Sequence, residues 1–219
     1  MNYIDKASDY YSNTRVDLLL FIDEKKTNLK VLEIGAAYGD TLYYLKNKGI
    51  ASEAVGVDIF EDKANPDKYK PIDRFIFGNI ELLDFPEYDN YFDVVLLPDV
   101  LEHLIEPKFV LEKAKKYLKN EGLLLVSMPN IRHYSAFSRI FIKGDFKYDE
   151  SGLFDYTHVR FYCKYNIEQL VVNAGFKIQD VKSSISLYQG KSMAKIINKL
   201  TFGWFEEFLS LQYFIKSTK

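Results

Sequence analysis

Seven short stretches, the first two and 92–97 and 121–128 strongly apolar, punctuate the chain at residues 29–34, 54–59, 73–77, 92–97, 121–128, 176–181 and 211–217, and each reads as a strand. The run FDVVLL at 92–97 is apolar throughout after Asp93, as a strand covered on both faces must be. Between the runs the apolar residues recur at helical spacing. Residues 10–24 carry Tyr11, Val16, Leu18, Leu19, Leu20 and Ile22 at that spacing, with Ser12 and Asn13 as capping candidates. A short helix is predicted over 41–48, stopped by Gly49. A longer one is predicted over 107–119, with proline in its first turn and Phe109, Val110, Ala114, Tyr117 and Leu118 on its apolar face. Residues 166–175 return to helix and end on Gly175, and 191–208 suit a helix interrupted near Gly203 and Trp204. Residues 60–71, with Pro66 and Pro71, read as a loop with room for a short helix.

Strand and helix therefore alternate, and the strands are continuous apolar runs. That combination predicts an α/β fold, a doubly wound parallel sheet with helices on both faces. With 219 residues the chain is most economically one domain, 1–219. Residues 131–161 break the alternation. They are aromatic, punctuated by Gly144 and Gly152, and too long for a plain connection, so they read as an insertion or lid after the fifth strand.

Charge narrows the field only a little. Twenty-nine Lys and Arg stand against 31 Asp and Glu, with no basic run that would track phosphates, which disfavours a nucleic-acid substrate. The single Cys163 cannot form an internal disulfide. The first residues lack a basic n-region with an apolar core, and no stretch approaches the ~20 apolar residues of a membrane span, so a cytoplasmic location without membrane insertion is expected.

Chemistry begins at KVLEIGAAYGD, residues 30–40, where the first strand enters a glycine-containing turn and then a helix. In a doubly wound sheet this is where a ligand sits. A dinucleotide needs glycines at G-x-G-x-x-G, but the three positions hold Gly35, Ala37 and Asp40, and the carboxylate would repel a pyrophosphate. No GK[ST] follows to hold a triphosphate. What fits is a nucleoside ligand without phosphates, flanked by acids ending the first two strands, Glu33 and Asp58. Asp58 lies about 20 residues past the turn, where a carboxylate can accept both ribose hydroxyls.

These residues resemble the class I S-adenosylmethionine-dependent methyltransferases, over nearly the whole chain. Glu33, Gly35 and Gly39 match their first motif, with Ala37 in place of the middle glycine. Asp58, followed by Ile59, matches the ribose-binding acid. Gly78, Asn79, Ile80 and Glu81 resemble the adenine motif, where the family more often has Asp at the place of Asn79. The resemblance implies a Rossmann-like, mostly parallel seven-stranded sheet with its last strand antiparallel. It implies a cofactor-binding core over 10–130, an acceptor-side insertion over 131–161 and a completing segment over 162–219. The cofactor would be S-adenosylmethionine, with S-adenosylhomocysteine as product. Tyr11 and Arg15, at helical spacing, match a Tyr and an Arg that many relatives place over the cofactor's carboxylate end. An exposed Arg and a core Tyr is the alternative reading of the pair.

A second stretch, PDVLEHL at 98–104, resembles that of ubiquinone-biosynthesis O-methyltransferases and their relatives. If it is helical, Asp99, Glu102 and His103 share one face. Asp99 and Glu102 then read either as chemistry or as an N-cap with its capping-box partner. His103 would point at the cofactor's methyl from a strand end, beside Pro98, as a neutral imidazole able to take a hydroxyl proton.

Residues 154–176, with Asp155, His158 and Arg160, resemble a D-x-T-H-x-R-F-F segment of relatives encoded beside polysaccharide-modifying enzymes. His158 is the second catalytic candidate, and His133 is assigned a structural or rim role. Small-RNA 3′-terminal 2′-O-methyltransferases carry a similar stretch that binds magnesium. No metal is expected here, but by that resemblance Asp99, Glu102, His103 and His158 would be its ligands.

The expectation is an S-adenosylmethionine-dependent methyltransferase acting on an oxygen of a small glycan, sugar nucleotide or lipid-linked acceptor, with His103, His158 and Glu102 at the chemistry. The insertion would supply much of the acceptor pocket, with Lys143 or Lys147 for a phosphate. The protein would be a monomer or homodimer. A non-catalytic cofactor-binding partner or regulator, metal-assisted methylation of an RNA 3′ end and, more remotely, a nicotinamide oxidoreductase are the rivals.

Overall fold

The computed structural model describes residues 13–23, 25–190 and 192–219. Seven strands form one sheet: β1 (Leu29–Ile34), β2 (Ala51–Asp58), β3 (Arg74–Phe77), β4 (Phe92–Pro98), β5 (Leu118–Pro129), β6 (Lys177–Ser183) and β7 (Gln212–Thr218). Their order is β3-β2-β1-β4-β5-β7-β6. The pairs among β1 to β5 are parallel, whereas β7 runs antiparallel to both β5 and β6. The predicted α/β sheet with an antiparallel last strand is what the chain forms, and β7 sits one place in from the edge.

Alternation along the strands separates two cores. Leu32, Ile34, Val95, Leu97, Leu124 and Val126 face one side, under Val110, Leu111 and Ala114 of α3 (Pro107–Tyr117) and Ile167 and Val171 of α5 (Lys164–Asn173). Val31, Val94, Leu96, Leu125 and Phe214 face the other, under Leu18 and Leu19 of α1 (Val16–Leu19) and Leu42 and Leu45 of α2 (Asp40–Asn47). Each fully buried Leu or Val side chain contributes roughly 1.5–3 kcal/mol relative to exposure, so these two layers hold the sheet between its helices.

Two predicted helices are corrected. Of 10–24, the described residues are helical only over Val16–Leu19; Leu20 to Ile22 form turns, and Asn13 lies before the helix and does not cap it. Tyr11 and Ser12 lie outside the described residues. The stretch 98–104 does not form an α-helix. It makes a single 3-10 turn over Leu101–His103, because Asp99 sits in the left-handed region at φ 52° and turns the chain out of β4.

The insertion over 131–161 holds α4 (Tyr134–Phe137), a wide turn over Ser138–Ile142 and an isolated bridge between Asp149 and Asp155. Its rings pack on one another: Phe146 meets Phe154 at 5.5 Å and Phe161 at 6.0 Å between centroids. Residues 184–211 hold α6 (Ser184–Leu187), α7 (Met193–Leu200) and α8 (Glu206–Leu209).

Candidate cofactor and catalytic site

The strand order reverses between β1 and β4, and the turns leaving these two strands face each other across the break. A cavity of about 470 Å³ opens there. Its walls include Arg15, Glu33, Gly35, Ala37, Asp58, Ile59, Asn79, Ile80, Pro98, Asp99 and His103 from the sequence-predicted set. Gly39, Glu102 and His158 do not line it, and neither does any residue of 131–161.

The turn after β1 is built by close contacts. Gly35, at φ 79°, lies so near Val100 that a Cβ there would meet Val100 Cγ2 at 2.5 Å. Ala37 also adopts the left-handed region, at φ 49°, where the family's glycine is at ease and an alanine is strained. Its N–H donates to Asp58 Oδ2 at 2.7 Å, and Phe60 N–H donates to Asp58 Oδ1 at 2.9 Å. Asp58 is thereby fixed at the end of β2 with further lone pairs for a diol. Burial raises its pKa, against the backbone N–H groups of Phe60, Ala37 and Ile59.

Glu33 lies 2% exposed at the end of β1, and its Oε2 has no hydrogen-bond partner. Burial pushes its pKa up to about 8, against the opposing pull of Arg15 and the Thr41 hydroxyl. A buried carboxyl with an unsatisfied oxygen costs about 1–3 kcal/mol unless a ligand answers it. An amino-acid ammonium is such a ligand. Asn79 Oδ1 accepts Glu81 N–H at 2.9 Å and keeps a second lone pair, while Ile80 packs beneath it in the core. The orphaned Glu33 oxygen, the oriented Asp58 and the Asn79–Ile80 edge together fit S-adenosylmethionine.

Arg15 meets the far wall. Its guanidinium donates to Asp99 Oδ2 at 2.6 Å, to both oxygens of Asp17 and to Ser127 Oγ at 3.0 Å. These carboxylates hold its pKa above the ordinary value despite burial. Asp99 also accepts from Ser127 Oγ at 3.0 Å and from Gln212 Nε2. Asp99 is therefore neither an N-cap nor a capping-box partner of Glu102. It ties the end of β4 to the segment before α1, to β5 and to β7. Ser127 and Gln212 escaped the sequence reading because nothing local distinguishes a serine or glutamine whose partner is 28 or 113 residues away. Thr41 escaped it for the same reason.

The two histidine stretches form one structure. Glu102 O accepts the N–H groups of Val159 and Arg160 at 3.0 and 3.1 Å, and the Arg160 guanidinium donates to the carbonyls of Leu104 and Ile105. Asp155 accepts from Thr157 N and Oγ1 at 2.8 and 2.6 Å and so shapes the loop. His103 Nδ1 lies 3.1 Å from Thr157 O. A carbonyl only accepts, so Nδ1 carries the proton and the lone pair is on Nε2.

Burial, with His158 second, lowers the His103 pKa to about 4, so the ring is neutral at pH 7. The rings of His103 and His158 meet edge to face, 4.7 Å between centroids. His158 Nε2 stands 4.0 Å from Glu102 Oε1. Glu102 is fully buried, neither carboxylate oxygen has a hydrogen-bond partner, and burial raises its pKa well above the ordinary value.

Ligand atoms of Glu102, His103 and His158 lie within 4.8 Å of one another. Asp99 is not part of that group, its carboxylate being held by Arg15, Ser127 and Gln212. His133, by contrast, caps α4 through Nδ1, near Ser135 Oγ at 2.7 Å.

A family model described as a methyltransferase domain matches residues 7–181. An S-adenosylmethionine-dependent methyltransferase from Mesorhizobium loti superposes with a TM-score of 0.66 at 16% identity, covering 98% of this chain and 99% of that one. Another from Archaeoglobus fulgidus gives 0.63 at 20% identity, covering 97% and 95%. An uncharacterised protein of Methanocaldococcus jannaschii is 31% identical over 115 residues, and the match spans 52% of this chain and about half, 47%, of that relative. The solved structures share the fold, and the family model spans the β1 turn, Asp58, Asn79 and both histidine stretches in one match. The chain thus belongs to the methyltransferase-domain family, with an S-adenosylmethionine-dependent methyltransferase fold.

Proposed function

We propose that the protein transfers a methyl group from S-adenosylmethionine to an oxygen of a small sugar-containing acceptor, whether a glycan, a sugar nucleotide or a lipid-linked precursor. One observation carries this reading: the same cavity reaches from Asp58 and Asn79 to His103, so the cofactor residues and a neutral imidazole share one space. S-adenosylmethionine would supply an electrophilic methyl on a sulfonium. Glu33 would meet the ammonium, Asp58 the ribose hydroxyls, and Asn79 with Ile80 the adenine. Arg15 acts by fixing Asp99, and Pro98 and Val100 shape the wall between cofactor and acceptor.

The lone pair of His103 Nε2 would accept the hydroxyl proton as the acceptor oxygen attacks. That proton transfer suits a hydroxyl acceptor. His158 and Glu102 back the imidazole from the side away from the cavity. In-line alignment would supply much of the remaining rate, and the hydrogen-bonded 99–105 turn would help to hold it.

Calorimetry with S-adenosylhomocysteine and an acceptor screen with labelled cofactor test this reading. His103→Ala is expected to lower kcat roughly 10²- to 10⁴-fold while product binding changes only a few-fold. No binding of S-adenosylhomocysteine at millimolar concentration would sink it. Binding that survives His103→Ala and His158→Ala, with no turnover on any acceptor, would favour a non-catalytic cofactor-binding regulator.

A second reading rests on the Glu102, His103 and His158 cluster. One carboxylate with two partnerless oxygens and two imidazoles fit a divalent cation such as magnesium or a transition metal, and a cation would keep Glu102 ionised. Metal-assisted 2′-O-methylation of an RNA 3′ end belongs with this alternative. Elemental analysis without stoichiometric metal, and activity unchanged by chelator, would remove it.

A further inference from the structure

The helix α7 has no buried residue, yet Met193, Ile196, Ile197 and Leu200 recur at i, i+3, i+4 and i+7 on one face and are all solvent-exposed. Beyond it the chain turns at Gly203, and Phe202 and Trp204 project from that turn at 93% and 87% exposure. The apolar surface continues across a second element. Phe208, following in α8, meets Tyr134 and Phe137 of α4 at 6.2 and 5.9 Å, and Phe137 meets exposed Phe141 at 5.2 Å. Ile142, beside Phe141, is exposed as well. Monomeric proteins rarely leave so large an apolar face uncovered without a partner for it.

Charge identifies the partner. Residues 181–205 hold four lysines and no acid, and 131–144 hold two arginines and a lysine and no acid, in a chain whose net charge is -2. Arg132 is neutralised by Glu207, Arg139 by Asp145 and Asp149, and Lys182 by Asp180. Lys195, on the other side of α7, donates to the Tyr188 carbonyl. Lys199 flanks the apolar stripe of α7 and Lys143 follows Ile142 in the chain, and neither makes a salt bridge among the described residues. A second copy of the chain docking by the same face would set these lysines against one another. An anionic bilayer answers both properties, taking aromatic and aliphatic side chains into its interface and lysines among its headgroups.

Topology fixes the orientation. β7 pairs Gln212 with Pro129, and β6 pairs Ser183 with Tyr213, so α6 to α8 lie at the end of the sheet where β1 and β4 release their turns. We propose that α7, the Phe202–Trp204 turn and α4 dock the protein on an anionic lipid surface, with the cavity end of the sheet toward the headgroups. No helix among the described residues is long and apolar enough to cross a membrane, so docking is peripheral. The inference rests on surface chemistry and does not depend on which acceptor is methylated.

Trp204 is the single tryptophan, so its fluorescence reports the contact directly. The full chain is titrated with phosphatidylcholine vesicles, with and without about 30% phosphatidylglycerol. The expected result is a blue shift and flotation with the anionic vesicles, at least about fivefold weaker without phosphatidylglycerol or in about 0.5 M salt. Phe202→Ser with Leu200→Ser is expected to weaken binding about tenfold or more. Lys143→Glu with Lys199→Glu is expected to abolish the anionic preference. Retained S-adenosylhomocysteine binding shows that each variant is folded, and the wild-type titration decides the matter if one is not. Unchanged Trp204 emission at lipid excess would overturn the proposal. So would equal binding to neutral vesicles, or lipid-free self-association abolished by the Phe202 and Leu200 substitutions.

Discussion

Glu33 carries the sharpest consequence of a single buried group. Its carboxyl is protonated at neutral pH because burial holds its pKa near about 8. An ammonium placed against it must favour the ionised form, so cofactor binding at pH 7 is expected to release up to about one proton. Calorimetry of S-adenosylhomocysteine binding in buffers of different ionisation enthalpy measures that proton. Glu33→Gln should abolish the release and weaken binding roughly 10- to 100-fold, the scale of a charged hydrogen bond. Asp99 shows the opposite design, a carboxylate fully answered by Arg15, Ser127 and Gln212. Asp99→Ala leaves a largely buried guanidinium with Asp17 and Ser127 alone and is expected to cost about 1.5–3 kcal/mol, read from denaturant midpoints.

Turns and strands differ in what local sequence can specify. The central strands β1, β4 and β5 were legible because each is an apolar run that crosses a two-faced core, and β1 begins and ends where its sequence pattern does. Glu33, Gly35, Asp58 and Asn79 could be placed around one cavity from the sequence because each stands at or just past a strand end. The turn over Leu101–His103 was not legible, since Asp99 takes its left-handed conformation under contacts from three distant segments. The short α1 was not either, because its apolar spacing outlasts the helix that tertiary packing supports.

Within the β1 turn, Ala37 at φ 49° should be relieved by Ala37→Gly, a gain of about 0.5–1 kcal/mol net of unfolded-chain entropy, visible as a higher Tm. Gly35→Ala should do the reverse. Its Cβ would collide with Val100, and the φ of 79° adds strain, for a loss of about 2–4 kcal/mol.

For the molecule as a whole, pH and ligand act on stability through the same groups. Glu33 keeps its proton when folded but loses it near 4.5 when unfolded, so stability falls as pH rises from about 4.5 to about 8. Asp58 shifts in the same direction. His103 opposes them only between its ordinary value of 6.5 and about 4, where the unfolded chain takes up the proton and stability falls with falling pH. From pH 6.5 to 8 Glu33 is therefore unopposed by His103, and the Tm of the ligand-free protein should decline across that window. Saturating S-adenosylhomocysteine should flatten the decline. At about 100 times its Kd it should also add about 2.7 kcal/mol, a rise of several degrees.

The placement of β7 between β5 and β6 has a consequence in time. β6 touches the sheet only through β7, although it precedes β7 along the chain by the whole of α6 to α8. It has no partner until the later strand has threaded beside β5. The folding chain therefore holds β6 as an open edge, with the Asp99 to Gln212 bond unmade. Closure of that long loop is expected to set the slow step in which the cavity end becomes rigid.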